Sequence, residues 1–102
     1  MDKNSIIIIS DDANIDIQQI FEYIKLNSIY YAVKTKENIG EKILGLDLLP
    51  YMGRKVPEYN EEYIRELIYK SYRIIYQIKE SFIYIQRIFH SRRLISKNLI
   101  QK

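Results

Sequence analysis

The chain holds no cysteine, one histidine, two prolines and three glycines in 102 residues. Without cysteine there is no disulfide framework and no thiolate metal site. A single histidine forms no ligand cluster, so neither a structural zinc nor any other metal or cofactor is expected. Long apolar runs are also missing. Ile6 to Ile9 is followed at once by Asp11 and Asp12, too short a run for a signal-peptide core or a membrane span. The expectation is a cytoplasmic protein with no membrane partner. No phosphate-binding glycine loop, HExxH, CxxC or GxSxG is present. Nor are there internal repeats, low-complexity tracts or linkers, so the whole chain, 1–102, reads as one domain.

Acidic residues are absent from Ser81 onward, where Arg87, Arg92, Arg93, Lys97 and Lys102 stand. The acids gather instead between Asp11 and Glu22 and between Glu58 and Glu66. The net charge of +3 is mild, but its distribution leaves a basic end. Such an end suits a polyanion or an acidic protein partner, or it simply solubilises the last strand.

What is present in quantity is β-branched and aromatic residues, which make up much of the hydrophobic 47%. They crowd the last third, from Ile64 to Arg93, with breaks at Lys70-Ser71 and Lys79-Glu80-Ser81. Short breaks between such runs predict antiparallel hairpins. In Tyr72 to Ile78 the alternation is clear. Tyr72, Ile74, Tyr76 and Ile78 share one face, and Arg73, Ile75 and Gln77 share the other. From Phe82 to Phe89 both faces are apolar except at Gln86 and Arg87, so the pattern leaves its orientation open.

Upstream, Ile6 to Ser10 predicts a first strand. Ser10, Asp11 and Asp12 then supply a helix N-cap and acids near the positive end of the helix dipole. The first helix is expected over about Asp12 to Leu26, with Ala13, Ile17, Ile20, Phe21 and Ile24 on one face. Asn27 and Ser28 recap the chain for a second helix from about Ile29 to Leu48. Its apolar stripe is Ala32, Ile39, Ile43 and Leu46, while Lys34, Lys36, Glu37, Glu41 and Lys42 face water. So short a link predicts an antiparallel helical hairpin. Pro50 to Asn60 reads as a loop carrying Arg54, Lys55 and Glu58. Leu94, Ile95 and Leu99 suit a last amphipathic turn. The order predicts an α+β fold: an N-terminal strand and a helical hairpin packed on one face of a mostly antiparallel sheet. The other face is expected to stay open and concave, with Arg73 looking into it, and Arg87 and His90 as candidates to join it.

Arginines at Arg65, Arg73, Arg87, Arg92 and Arg93, with His90, exceed what a sheet needs to hold helices. A guanidinium binds phosphate through a planar fork and stabilises developing charge. A histidine moves protons near neutral pH. These groups, with Glu58 as the nearest acid by loop placement, are the parts for cutting RNA through its own 2′-hydroxyl without a metal. Each also has an ordinary reading: a hydrogen-bonding His90, an ion-paired Arg73, surface charges at Arg54 and Lys55. Most tyrosines belong to the core and sheet edges, and a few exposed ones suit base stacking.

Arg65-Glu66-Leu67, then Ser71-Tyr72-Arg73-Ile74-Ile75-Tyr76, then Arg87-Ile88-Phe89-His90-Ser91-Arg92-Arg93 resemble the RelE/ParE superfamily of bacterial and archaeal toxins. Leu49 to Glu58 resembles the proline-glycine-arginine loop before those strands, and Asp16 to Ile24 resembles the family's first helix. The likeness runs from Ser10 to Arg93, in order. It implies the fold just described and a toxin of a type II toxin–antitoxin pair, neutralised by a cognate antitoxin. One branch cuts mRNA in the ribosomal A site; for it, the resemblance assigns catalysis to Arg73, His90 and Glu58. The other branch poisons DNA gyrase and is not known as a nuclease. Arg54, Lys55, Arg65, Arg87, Arg92 and Arg93 then become candidate target-binding residues. Glu58, Glu61 and Glu62 replace the lysine-rich approach of the nuclease branch, and Ser91 stands where that branch has a tyrosine. The ending His-x-Arg-Arg with a short tail is closer to the gyrase-directed branch, which the resemblance slightly favours. An inactive homologue kept for antitoxin binding remains a third class.

Overall fold

The computed structural model describes residues 6–91. Arg92, Arg93 and the expected turn at Leu94, Ile95 and Leu99 lie outside the described residues. The elements are β1 (Ile6–Ile9), α1 (Asp11–Lys25), α2 (Ile29–Leu44), a 3₁₀ turn (Gly45–Asp47), β2 (Arg54–Lys55), β3 (Ile64–Tyr69), β4 (Tyr72–Ile78) and β5 (Phe82–His90). One five-stranded sheet runs β1-β5-β4-β3-β2. Among the described residues, only the β1–β5 pair is parallel. The architecture is the expected α+β hairpin-on-sheet, with a fifth, two-residue strand inside the segment expected to be loop.

The helices form where their caps and stripes predict. The Ser10 hydroxyl accepts from the Ala13 amide at 2.9 Å, and Ser28 does the same for Tyr31 at 3.2 Å. Each satisfies a donor that the first helical turn leaves unpaired. Ala32, Ile39, Ile43 and Leu46 are all buried. They meet Leu67, Ile74, Tyr76, Ile83, Ile85 and Ile88 from the sheet, together with Ala13. The second helix stops at Leu44 rather than Leu48, because Gly45 caps it and the chain tightens into the 3₁₀ turn before Pro50.

Lys70-Ser71 forms the tightest hairpin connection, with Tyr69 paired to Tyr72. Lys70 takes a positive φ of 51°, which two-residue hairpins demand of a loop residue. In β5 the register shifts between Ile75 and Tyr76 of its partner strand. The extra residue is Gln86. Before it, Ile83 and Ile85 face the helices; after it, Ile88 does. The bulge therefore changes which positions point inward, which settles an orientation that alternation leaves open.

Two expectations about the opposite face are corrected. It is not open throughout: residues 56–60 fold over part of it, and Val56 and Tyr59 pack with Ile64, Ile75 and Phe89 in a second small core. Nor does His90 join Arg73 there. His90 pairs with Tyr72 and shares the helix side with Ile88, because the bulge shifts the alternation.

Candidate functional site

Glu66 lies between Ile64 and Ile68 on the face away from the helices, and its side chain is fully buried. Its two oxygens hold two guanidiniums. Oε1 accepts from Nε of Arg73 at 2.6 Å, and Oε2 accepts from Nε of Arg54 at 2.6 Å. Register explains this: Arg54 is directly opposite Glu66 on β2, and on β4 Arg73 lies two residues, and so on the same face, from Glu66's partner Ile75. The terminal nitrogens of Arg73 then meet Glu58 as a fork, at 2.8 and 3.0 Å. Bidentate pairs of this kind are the strong ones. Pro57 and the buried neighbours Val56 and Tyr59 fix the segment that carries Glu58.

The result is an alternating network: Arg54, Glu66, Arg73, Glu58. Arg73 is 5% exposed, and a charge so deep is tolerated only with partners. The Glu58 hydrogen bonds, countered in part by burial and reinforced by Glu66, raise the Arg73 pKa above the ordinary guanidinium value, so it stays charged. Arg54, Pro57, Glu58, Ile68, Arg73 and Ser91 line a cavity of about 630 Å³ beside the network.

The remaining sequence candidates fall in three other places. Arg65 donates from Nε to the Glu62 carbonyl at 2.8 Å and from NH1 to the Gly53 carbonyl at 2.9 Å, and it lies over the Tyr51 ring. Lys55 reaches the same Glu62 at 3.8 Å. Arg87 is bound by Asp16 of α1 at 2.8 and 3.0 Å, and this contact raises its pKa. His90 is exposed, edge-on to Tyr72 at 6.2 Å between ring centres. Arg73 and Glu58 are thus brought together, with Arg54, while His90 stands on the other side of the sheet. Among the described residues no group of acids and histidine could hold a metal ion, and no helix is long and apolar enough to cross a membrane.

Four residues to which sequence reasoning gave no part in the site organise this arrangement. Glu66 gathers the two arginines. Asp16 accepts the Ile88 amide at 2.8 Å as well as Arg87, extending the β5 edge beyond the end of β1. Ser10 prepares that junction by donating to the Gln86 carbonyl at 2.8 Å. The buried Tyr76 hydroxyl donates to the Pro50 carbonyl at 2.7 Å and accepts from the Gly53 amide at 3.0 Å. It anchors the segment that leads into β2. An acid inside the stripe of α1, and another inside an apolar strand, were the available signals for Asp16 and Glu66. The Tyr76 role had none.

A family model described as "ParE toxin of type II toxin-antitoxin system, parDE" matches residues 7–95. The fold is similar to a chain of the chromosomal ParDE system from P. aeruginosa, with a TM-score of 0.71, 21% identity, and 84% of this chain and 95% of that one covered. It is also similar to a chain of the RelBE2 toxin–antitoxin complex from Mycobacterium tuberculosis, with a TM-score of 0.64, 16% identity, and 88% and 94% covered. No curated protein sequence matches the chain.

Proposed function

The chain belongs to the ParE toxin family of type II toxin–antitoxin systems, and from that premise we propose that it arrests growth by binding DNA gyrase rather than by cutting RNA. The observation that carries this reading is the separation of the would-be catalytic set. Cleavage through a 2′-hydroxyl needs a proton-transfer group within about 3 Å of the reacting atoms, directly or through one water. His90 lines a cleft with α1, whereas Arg73 lines a cavity on the far face. Both terminal nitrogens of Arg73 are held by Glu58. In this reading Arg73 is a structural cation, and the target-facing charges are the more exposed Arg54 and Lys55 with Arg92 and Arg93.

The same premise supports a cognate antitoxin as partner. Leu44, Leu48, Leu49, Tyr51 and Met52 are exposed apolar side chains on adjoining segments, and Tyr76 ties the Pro50 to Gly53 stretch down. A fixed apolar shelf of this kind suits a permanent protein partner. The nuclease reading keeps one observation in its favour: Arg73, Arg54 and Glu58 share one cavity.

Induction without antitoxin, followed by separate pulse-labelling of DNA and protein synthesis, decides between them. DNA synthesis should stop first, with cleaved gyrase–DNA complexes accumulating. If translation stops first and mRNA is cut at ribosome-bound codons, the nuclease reading replaces the gyrase one. If neither stops, the chain is an inactive antitoxin-binding homologue.

A further inference from the structure

The two ends of the sheet differ. At one end β2 is two residues long and carries Arg54 and Lys55, features that keep a strand edge from pairing with another chain. At the other end β1 is four isoleucines in unbroken register with β5. It has no charge, proline or bulge to blunt it. Ile6 is 64% exposed and Ile8 43%, while Ile7 and Ile9 pack against the main core.

One contact fixes which way the backbone of β1 faces. The Ser10 amide donates to the Ile85 carbonyl at 3.0 Å, so the polar groups of Ser10, Ile8 and Ile6 turn toward β5. Successive residues of a strand direct these groups to alternate sides. Ile7 and Ile9 therefore direct N–H and C=O away from the sheet. Among the described residues no backbone group meets them there. Such a row is a template for a further strand.

We propose that β1 pairs antiparallel with β1 of a second copy of this chain, about a two-fold axis at Ile8. In that register Ile7 exchanges both hydrogen bonds with Ile9 of the second copy, and Ile9 does so with Ile7. An axis at Ile7 or at Ile9 would leave a single such pair within β1. A one-residue slip would set outward groups against inward ones and helix-side chains against open-face chains. Ile8 then meets Ile8 of the second copy across the axis, and β-branched pairs of this kind are stabilising. Ile6 lies opposite Ser10, whose hydroxyl is held by the Gln86 carbonyl. The argument for a second copy is that the strand is its own complement, and that no charge in it selects a different partner. The pairing is independent of what the chain acts on.

A four-residue seam is short beside interfaces that bury roughly 1,200–2,000 Å², so the dimer exchanges with monomer. Sedimentation equilibrium of the full chain, free of antitoxin, should show a mass rising with concentration from one chain toward two. Ile8→Lys sets like charges face to face on the axis and should abolish the rise. Ile6→Lys alters a more exposed isoleucine but lies off the axis, on the side of Asp11 and Asp12 of the second copy, and should not weaken it. Non-specific apolar adhesion predicts the reverse order. Cross-linking reads the register directly, because the chain has no cysteine of its own. Residues opposed as Ile8 would be have Cα atoms about 4.5 Å apart, inside the disulfide range of roughly 4.4–6.8 Å. Ile8→Cys should therefore form a covalent dimer under oxidised glutathione. Two Ile6→Cys thiols would be four residues apart along the seam, roughly 14 Å, and should not. Circular dichroism checks that every variant keeps its fold. A chain that stays monomeric at all concentrations overturns the proposal. So does equal loss in the two lysine variants, or equal cross-linking in the two cysteine variants.

Discussion

The two faces of the sheet are held by opposite means. Under the helices, Ile39, Ile43 and Leu46 meet Ile74, Ile83 and Ile85 in a dry apolar layer. On the far face, beneath residues 56–60, a smaller apolar cluster shares the space with Glu66, Arg73, Glu58 and Arg54. The first layer is non-directional: any residues of suitable volume fill it. The second depends on particular atoms meeting, because each buried charge is tolerable only while its partners remain. The first face tolerates apolar exchange that conserves volume. The second tolerates change only in concert, and it positions the loop carrying two candidate target-binding residues.

The comparison is broken most severely at Glu66. Glu66→Gln leaves two guanidiniums sharing a neutral amide, one of them buried, and should destabilise the protein by roughly 3–5 kcal/mol. Ile39→Ala in the apolar layer should cost about 2–5 kcal/mol by opening a cavity. Urea denaturation of both variants gives the ranking. If Glu66→Gln shifts the midpoint by less than a surface substitution would, the far face is not held by its charges.

A smaller effect is expected at Gly53. A Cβ there would lie 2.5 Å from the Glu66 carbonyl oxygen and 2.7 Å from the Tyr76 hydroxyl oxygen. Gly53→Ala must push β2 off β3 or displace the Tyr76 hydroxyl, at about 1–3 kcal/mol. Amide exchange should speed up around Arg54 and Lys55 while α2 stays protected; uniform protection would contradict this. The smallest effect is on pH. Burial raises the Tyr76 pKa, against the opposing pull of the Gly53 amide and Arg65. The folded state therefore holds the phenolic proton more tightly than the unfolded one. Its contribution is complete below pH 10, the ordinary value, and is lost as pH rises through the folded-state value. Tyr76→Phe should flatten the alkaline fall in melting temperature, and an unchanged slope would assign that fall elsewhere.

Periodicity made the helix side of the fold legible. The stripe Ala32, Ile39, Ile43, Leu46 and the alternation of β4 each name their buried face, and Ser10 and Ser28 mark the helix starts. Three features escaped for separate reasons. β2 is two residues long, too short for any alternation. Orientation in β5 could not be carried across Gln86, since a period of two is reset by a bulge; the same shift moved His90 away from Arg73. Charge pairing was the largest loss. Arg87 meets Asp16 from 71 positions away, and no local pattern announces such a partner, so arginines bound by acids looked like a surplus. Of the candidate site, Arg73, Glu58 and Arg54 do come together, but through Glu66, which had been passed over.

The parallel pairing of β1 with β5 has a kinetic consequence. Ile6 must find Phe82, and Ser10 must find Gln86, 76 positions along the chain. Contacts so distant in sequence carry a large loop-closure cost and form late. While the chain emerges from the ribosome, the helical hairpin can form early, but β1 has no strand to join until the last hairpin is made. The sheet is therefore completed from its C-terminal side. A nascent chain stalled before Phe82 leaves the isoleucine run of β1 exposed and is a target for aggregation or proteolysis.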